Sequence, residues 1–151
     1  MKIFILRHGQ AEAYQANDSV RRLVDKGIDD THQIISSNIQ ILSSVQKIVA
    51  SPYIRAQETA TIAARLLNIE SIFNTSLLEP EASLQELFSF LEGFAETEML
   101  LVSHLPLVGV LANRLCGFEE NRIQFNTSSL VGIECDFPAN GMGHLFLERH
   151  L

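Results

Sequence analysis

Four side chains in this sequence, Arg7, His8, Arg55 and His104, form a set suited to moving a phosphoryl group. An arginine guanidinium is a planar fork whose N–H groups match two phosphate oxygens at once, and two of them neutralise charge on a phosphoryl group in transit. A neutral imidazole supplies the nucleophile. For His8 to attack, one ring nitrogen must be unprotonated while the other donates to a nearby carbonyl that fixes the tautomer. Gly9, which has no Cβ, is expected to let the backbone approach the phosphate and offer it an N–H donor. Ser51 is expected to help hold the pocket through its hydroxyl. Arg21 and Arg22 are either solvated loop charges or groups that bind substrate or guide an acidic partner, and Arg21 is the substrate-binding candidate. His32, His144 and His150 stand outside any motif and are assigned no role.

These groups need elements that bring them together. Ile3 to Leu6 is an unbroken apolar run ending in Arg7-His8-Gly9, which reads as a buried parallel strand running into a loop. Lys47 to Ala50 and Met99 to Val102 repeat the pattern, stopping at Ser51-Pro52 and at Ser103-His104. In an open α/β sheet ligands bind beyond the carboxyl ends of the strands, so the three stops are expected to converge.

Between the strands, the pattern predicts a polar loop over Gln15 to Gly27 and a helix from about Asp30 to Ser44 with Ile34, Ile35, Ile39 and Leu42 on one face. Further helices are expected over Tyr53 to Leu67, over Ser83 to Phe94 with Ser83 as cap, and over Leu105 to Cys116 with Gly117 closing it. Ser71 to Phe73 reads as a minor strand. Ser129 to Cys135 and Gly143 to Leu147 read as a hairpin turning through Pro138 to Gly141. The fold class expected is a three-layer α/β/α domain with a mostly parallel central sheet, occupying residues 1–151 as a single domain.

Composition narrows the partners. A net charge of -7 argues against general affinity for nucleic acid or anionic membrane, both of which need clustered Lys and Arg, so a phosphate site must be a local positive island. The N-terminal apolar run is too short for a signal-peptide core or a membrane span, and cytoplasmic residence is the default expectation. Cys116 and Cys135 form no CxxC pair and have no His at metal-ligand spacing, so buried free thiols are expected. No metal and no cofactor is expected, because the arginines supply the charge compensation.

Leu6-Arg7-His8-Gly9, together with Ser51-Pro52, Arg55 and Glu58-Thr59, resembles the histidine phosphatase superfamily, also called the phosphoglycerate mutase-like or RHG-motif family, over nearly the whole chain. The resemblance implies that His8 becomes phosphorylated, that Arg7 and Arg55 bind the phosphate, and that His104 helps stabilise the transferring group. Within the superfamily, Asp18-Ser19-Val20-Arg21 and Val102 to Gly109 resemble SixA-type phosphohistidine phosphatases. That closer resemblance implies a phosphorylated protein as partner, such as a histidine-containing phosphotransfer domain. The chain also has little sequence to spare for the inserted lid helices of larger relatives.

Relatives that cleave phosphate esters use a carboxylic acid to protonate the departing alkoxide. The corresponding stretch here, Leu77 to Ser83, offers Glu79 or Glu81, neither in a clean match, with Glu81 preferred; Pro80-Glu81-Ala82-Ser83 also departs from the Pro-x-Gly-Asp pattern of SixA-like members. An alkoxide's conjugate acid has a pKa of about 15.7 and imidazole's is about 6.5, a proton-affinity gap on the order of 12 kcal/mol, part of which enters the barrier. Weak acid placement therefore favours a phosphohistidine substrate. The alternatives are a small-molecule phosphomonoesterase, a non-catalytic module that binds phosphorylated partners, and, less favoured, a mutase.

Overall fold

Successive strand residues point alternately to two separate apolar cores, and this period of two builds a layered molecule. In the computed structural model, which describes residues 1–151, β1 (Lys2–Arg7), β2 (Lys47–Ala50), β3 (Ile72–Asn74), β4 (Glu98–Ser103), β5 (Leu130–Cys135) and β6 (Gly143–Arg149) form one sheet ordered β3-β2-β4-β1-β5-β6. Strands β3, β2, β4 and β1 are parallel, while β5 lies antiparallel on β1 and β6 antiparallel on β5. The expected three-layer, mostly parallel α/β fold is what forms.

Ile3, Ile5, Met99 and Leu101 face a core completed by Leu87 and Leu91 of α4 (Leu84–Glu92) and by Val108 and Leu111 of α5 (Leu107–Leu115). Their neighbours Phe4, Leu6, Leu100 and Val102 face the opposite core, closed by α1 (Asp25–Ser37) and α3 (Ile54–Leu67). On α3, Ala56, Ala60 and Ala63 lie against the sheet, small enough to let the helix approach closely. Burial on both faces explains why β1 and β4 read as unbroken apolar runs rather than alternating ones.

Two expectations about the segment after β1 need correction. The helix expected from Asp30 to Ser44 begins at Asp25 and breaks at Asn38, beyond which a single turn, α2 (Ile39–Leu42), continues. Asn38 Nδ2 donates to the Ile34 carbonyl at 2.8 Å, and the break leaves Ile39 exposed rather than on the buried face. The stretch expected as a loop over Gln15 to Gly27 therefore contains the first turn of α1, and also a 3₁₀ turn at Asp18–Val20 whose Asn17 cap accepts from Ser19 N at 3.2 Å.

Elsewhere the boundaries shift by a residue or two. Ser83 caps α4 by accepting from Glu86 N, and Gly117 takes a φ of 68° just past α5. Both cysteines are free. No helix is long and apolar enough to cross a membrane.

Candidate active site

Register brings the two histidines together. Arg7 lies opposite Ser103 across the parallel β1 and β4 pair, so His8 and His104 are the next residues beyond paired strand ends. His8 N donates to Ser103 O at 3.0 Å, and the two imidazole rings stand 5.0 Å apart between centroids. On the other side of β4, Ser51 N donates to Val102 O at 3.0 Å, which places Ser51 and the start of α3 at the same edge.

The tautomer of His8 follows from its partners. Nδ1 is 2.7 Å from the Gly9 carbonyl, which can only accept, and Arg55 Nε, which can only donate, is 3.2 Å from Nε2. The proton therefore sits on Nδ1, and Nε2 carries the lone pair. Burial, and then the positive charges of Arg55, Arg7 and Arg21, lower the pKa to about 3 against the opposing effect of the Gly9 carbonyl, so the ring is neutral near pH 7.

His104 is held differently. Its Nε2 lies 2.7 Å from Ser51 Oγ, its ring is 5.0 Å from that of Tyr53, and burial, followed by repulsion from His8 when that ring is protonated and from Arg55, lowers its pKa to about 2. Its Nδ1 is buried without a protein partner. Ser51 thus touches the second histidine through its hydroxyl.

The arginines approach from opposite sides of the sequence. Arg7 Nη1 donates to the Phe125 carbonyl at 3.0 Å, and Arg7 Nε is buried with no protein partner. Arg55, in the first turn of α3 and 3% exposed, donates from Nη1 to the Asp18 carbonyl at 2.8 Å and from Nη2 to Asp18 Oδ2 at 3.0 Å. Ser128, at a φ of 61°, donates its N–H to the carbonyls of Arg7 and His8 and so holds the chain where it leaves β1.

Gly9 is constrained to glycine by its packing. Its N–H donates to Thr59 Oγ1 at 3.1 Å, and a Cβ here would stand 2.6 Å from the Gly27 carbonyl of α1. The close approach is to the first turn of a helix. Arg21 stays at the rim, its Nε on Asp18 Oδ1 at 2.7 Å and its Nη1 on the Glu12 carbonyl at 2.7 Å, while Arg22 pairs with Glu58 at 3.1 Å.

The two candidate acids are not equivalent. Both lie on the segment following the 3₁₀ turn Ser76–Leu78, which Ser103 Oγ ties to the end of β4 through the Leu78 carbonyl at 2.7 Å. Glu79 is half-buried and lines two adjoining clefts with Asp18 and Tyr53, whereas Glu81 is exposed and lines one. No three His, Cys, Asp or Glu side chains cluster in a way that could hold a metal ion.

Asp18, Tyr53, Thr59, Ser103 and the carbonyl of Phe125 belong to this site without having been singled out individually. Asp18 and Thr59 stand inside strings that carried the family resemblance, which is the signal that could have found them. Phe125 acts through its backbone, and no side-chain pattern reports that.

The chain is similar in sequence and in fold to known proteins. Residues 3–86 match the family model for the histidine phosphatase superfamily (branch 1). The chain is 30% identical over 145 residues to phosphohistidine phosphatase SixA of Escherichia coli (strain K12), covering 93% of this chain and 89% of the relative. It is 30% identical over 147 residues to the phosphohistidine phosphatase SixA homolog of Haemophilus influenzae (strain ATCC 51907 / DSM 11121 / KW20 / Rd), covering 90% and 89%. A solved structure of the protein histidine phosphatase SixA complexed with tungstate superposes with a TM-score of 0.88 at 29% identity, covering 98% of this chain and 96% of the other.

Proposed function

The chain belongs to the histidine phosphatase superfamily (branch 1), a family of phosphatases, and from that premise we propose that it hydrolyses phosphohistidine on a partner protein through a phospho-His8 intermediate. One observation carries the reading. With the neutral His8 ring 5.0 Å from that of His104, two buried nitrogens, Arg7 Nε and His104 Nδ1, have no protein partner, and Nδ1 is a donor when Ser51 donates to Nε2. An unpaired buried donor costs about 1–3 kcal/mol, and an anion with several oxygens satisfies both at once.

In the first step Arg55 Nε turns from His8 Nε2 to a phosphoryl oxygen, and the freed lone pair attacks phosphorus in line. The bond from phosphorus to the substrate imidazole breaks, its electron pair stays on the leaving nitrogen, and that nitrogen takes a proton from water. In the second step a water oxygen attacks phospho-His8, the P–Nε2 bond breaks with its electron pair returning to Nε2, and inorganic phosphate leaves carrying one proton of the water while the other passes to the hydroxide left by the first step. Arg7, Arg55 and His104 hold the equatorial oxygens in both steps, where charge is spread over them. Ser51 keeps His104 oriented, and donation of the Ser51 hydroxyl to Nε2 leaves the His104 proton on Nδ1, ready for an oxygen.

A phosphohistidine on a signalling or phosphotransfer protein is favoured over a small ester because an imidazole leaves with little acid help, and neither Glu79 nor Glu81 is hydrogen-bonded to His8 or His104. The test compares wild type and His8→Ala on a phosphohistidine-bearing phosphotransfer protein and on a small phosphate ester. The expected result is strong preference for the protein and loss of turnover in His8→Ala. A faster ester reaction would make this a general phosphomonoesterase. Turnover of neither, with phosphate still bound, would make it a binding module.

A further inference from the structure

Arg55 has a charged partner in the chain and Arg7 has none. The Asp18 carboxylate accepts from Arg55 Nη2 at 3.0 Å through Oδ2 and from Arg21 Nε at 2.7 Å through Oδ1, while its backbone carbonyl accepts from Arg55 Nη1 at 2.8 Å. Arg7 Nη1 meets only the neutral Phe125 carbonyl. Every nitrogen of Arg55 is therefore engaged, two on Asp18 and one on His8 Nε2.

The turn that presents Asp18 is itself braced. Asn17 caps it, Arg21 Nη1 ties it back to Glu12, and Glu58 of α3 accepts from both Arg22 Nη2 and Leu23 N at 3.1 Å. Asp18 is thus fixed relative to the helix that carries Arg55, and the guanidinium can offer its Nε–H to a phosphoryl group while Nη1 and Nη2 stay on Asp18.

We propose that Asp18 is a positioning residue for phosphoryl transfer: it clamps the far edge of Arg55, and its negative charge, beside the arginine that binds phosphate, promotes release of the inorganic phosphate product. The turnover part rests on the phosphohistidine reading given above; the phosphate-binding part does not. A carboxylate offers two acceptors to two arginines, whereas an asparagine of the same shape offers one acceptor and turns a donor toward the other arginine. Asp18→Asn therefore removes the charge and frees one guanidinium with little change in volume.

The experiment measures inorganic phosphate affinity calorimetrically, kcat on a phosphohistidine-bearing protein, and the urea midpoint, for wild type, Asp18→Asn and His8→Ala. In Asp18→Asn, phosphate is expected to bind roughly tenfold tighter while kcat falls roughly tenfold, as expected for one nearby charge worth about one decade. A residue serving only as a strut would lose stability, phosphate affinity and kcat together. Phosphate binding that is unchanged or weaker in Asp18→Asn, or a retained kcat, overturns the proposal. Failure of the phosphohistidine reading is recognised separately, by wild-type turnover that persists in His8→Ala or is absent altogether, and the phosphate titration then still decides the electrostatic role of Asp18.

Discussion

At the scale of single residues, the identity of the leaving group is the sharpest question, and it turns on one carboxylate. Sequence alone favoured Glu81 as the acid. In the fold Glu81 is exposed, whereas Glu79 is half-buried beside Asp18 and Tyr53 on a segment that Ser103 anchors to the end of β4. A general acid contributes about 10²–10⁴-fold where the leaving group needs a proton. Glu79→Gln is therefore expected to slow a phosphate ester by about that factor and phosphohistidine by less than about tenfold, with Glu81→Gln close to wild type on both. Steady-state rates on the two substrates check this, and equal losses in Glu79→Gln would count against the leaving-group argument.

At the scale of elements, the site depends on a close crossing between the chain leaving β1 and the first turns of α1. A Cβ on Gly9 would stand 2.6 Å from the Gly27 carbonyl, and one on Gly27 would stand 2.1 Å from the Gln10 carbonyl, so neither position has room for a side chain. This crossing accounts for a glycine inside α1, where helix propensity disfavours one by about 1 kcal/mol. It also accounts for the late start assigned to that helix from sequence, since Gly27 looked like the end of a loop. Gly9→Ala is expected to destabilise the protein by about 1–3 kcal/mol through overpacking, with reduced turnover because His8 Nδ1 is oriented by the Gly9 carbonyl. Urea unfolding checks it, and an unchanged midpoint would show that the two segments do not meet so closely.

At the scale of the whole molecule, two neutral buried imidazoles tie stability to pH. The folded pKa values of His8 and His104, about 3 and about 2, lie below the unfolded value of about 6.5. Between these limits the unfolded chain binds protons that the folded chain does not, so stability is fully present above about pH 6.5 and falls as pH decreases through that value. Each histidine contributes a slope of up to about 1.4 kcal/mol per pH unit. For Asp18, burial acts to raise the pKa, but the hydrogen bonds and charges of Arg21 and Arg55 outweigh it and leave it lowered. Its contribution is lost only below the ordinary carboxylate range, so it does not mask the histidine window. Urea titrations at about pH 7, 6 and 5 are expected to show the fall, and His104→Asn to show about half of it; a flat wild-type profile would mean that the histidines are not held neutral.

Taken alone, the sequence determined the class of fold and pointed to the proposed chemistry, because both are written in local patterns. Apolar runs that stop at Arg7-His8-Gly9, Ser51-Pro52 and Ser103-His104 identify strand ends, and the arginine and histidine types at those stops are the basis for proposing a phosphate ligand. Only tertiary structure decided which stops are neighbours. The order β3-β2-β4-β1-β5-β6 puts His8 beside His104, brings the Phe125 carbonyl to Arg7, and sets Asp18 on Arg55. It also packed Gly9 against α1 and set Glu79 in a cleft with Asp18 and Tyr53. Side-chain periodicity reports whether a face is buried, but pairings between distant segments are fixed by strand register and by backbone atoms whose partners leave no mark on nearby residues.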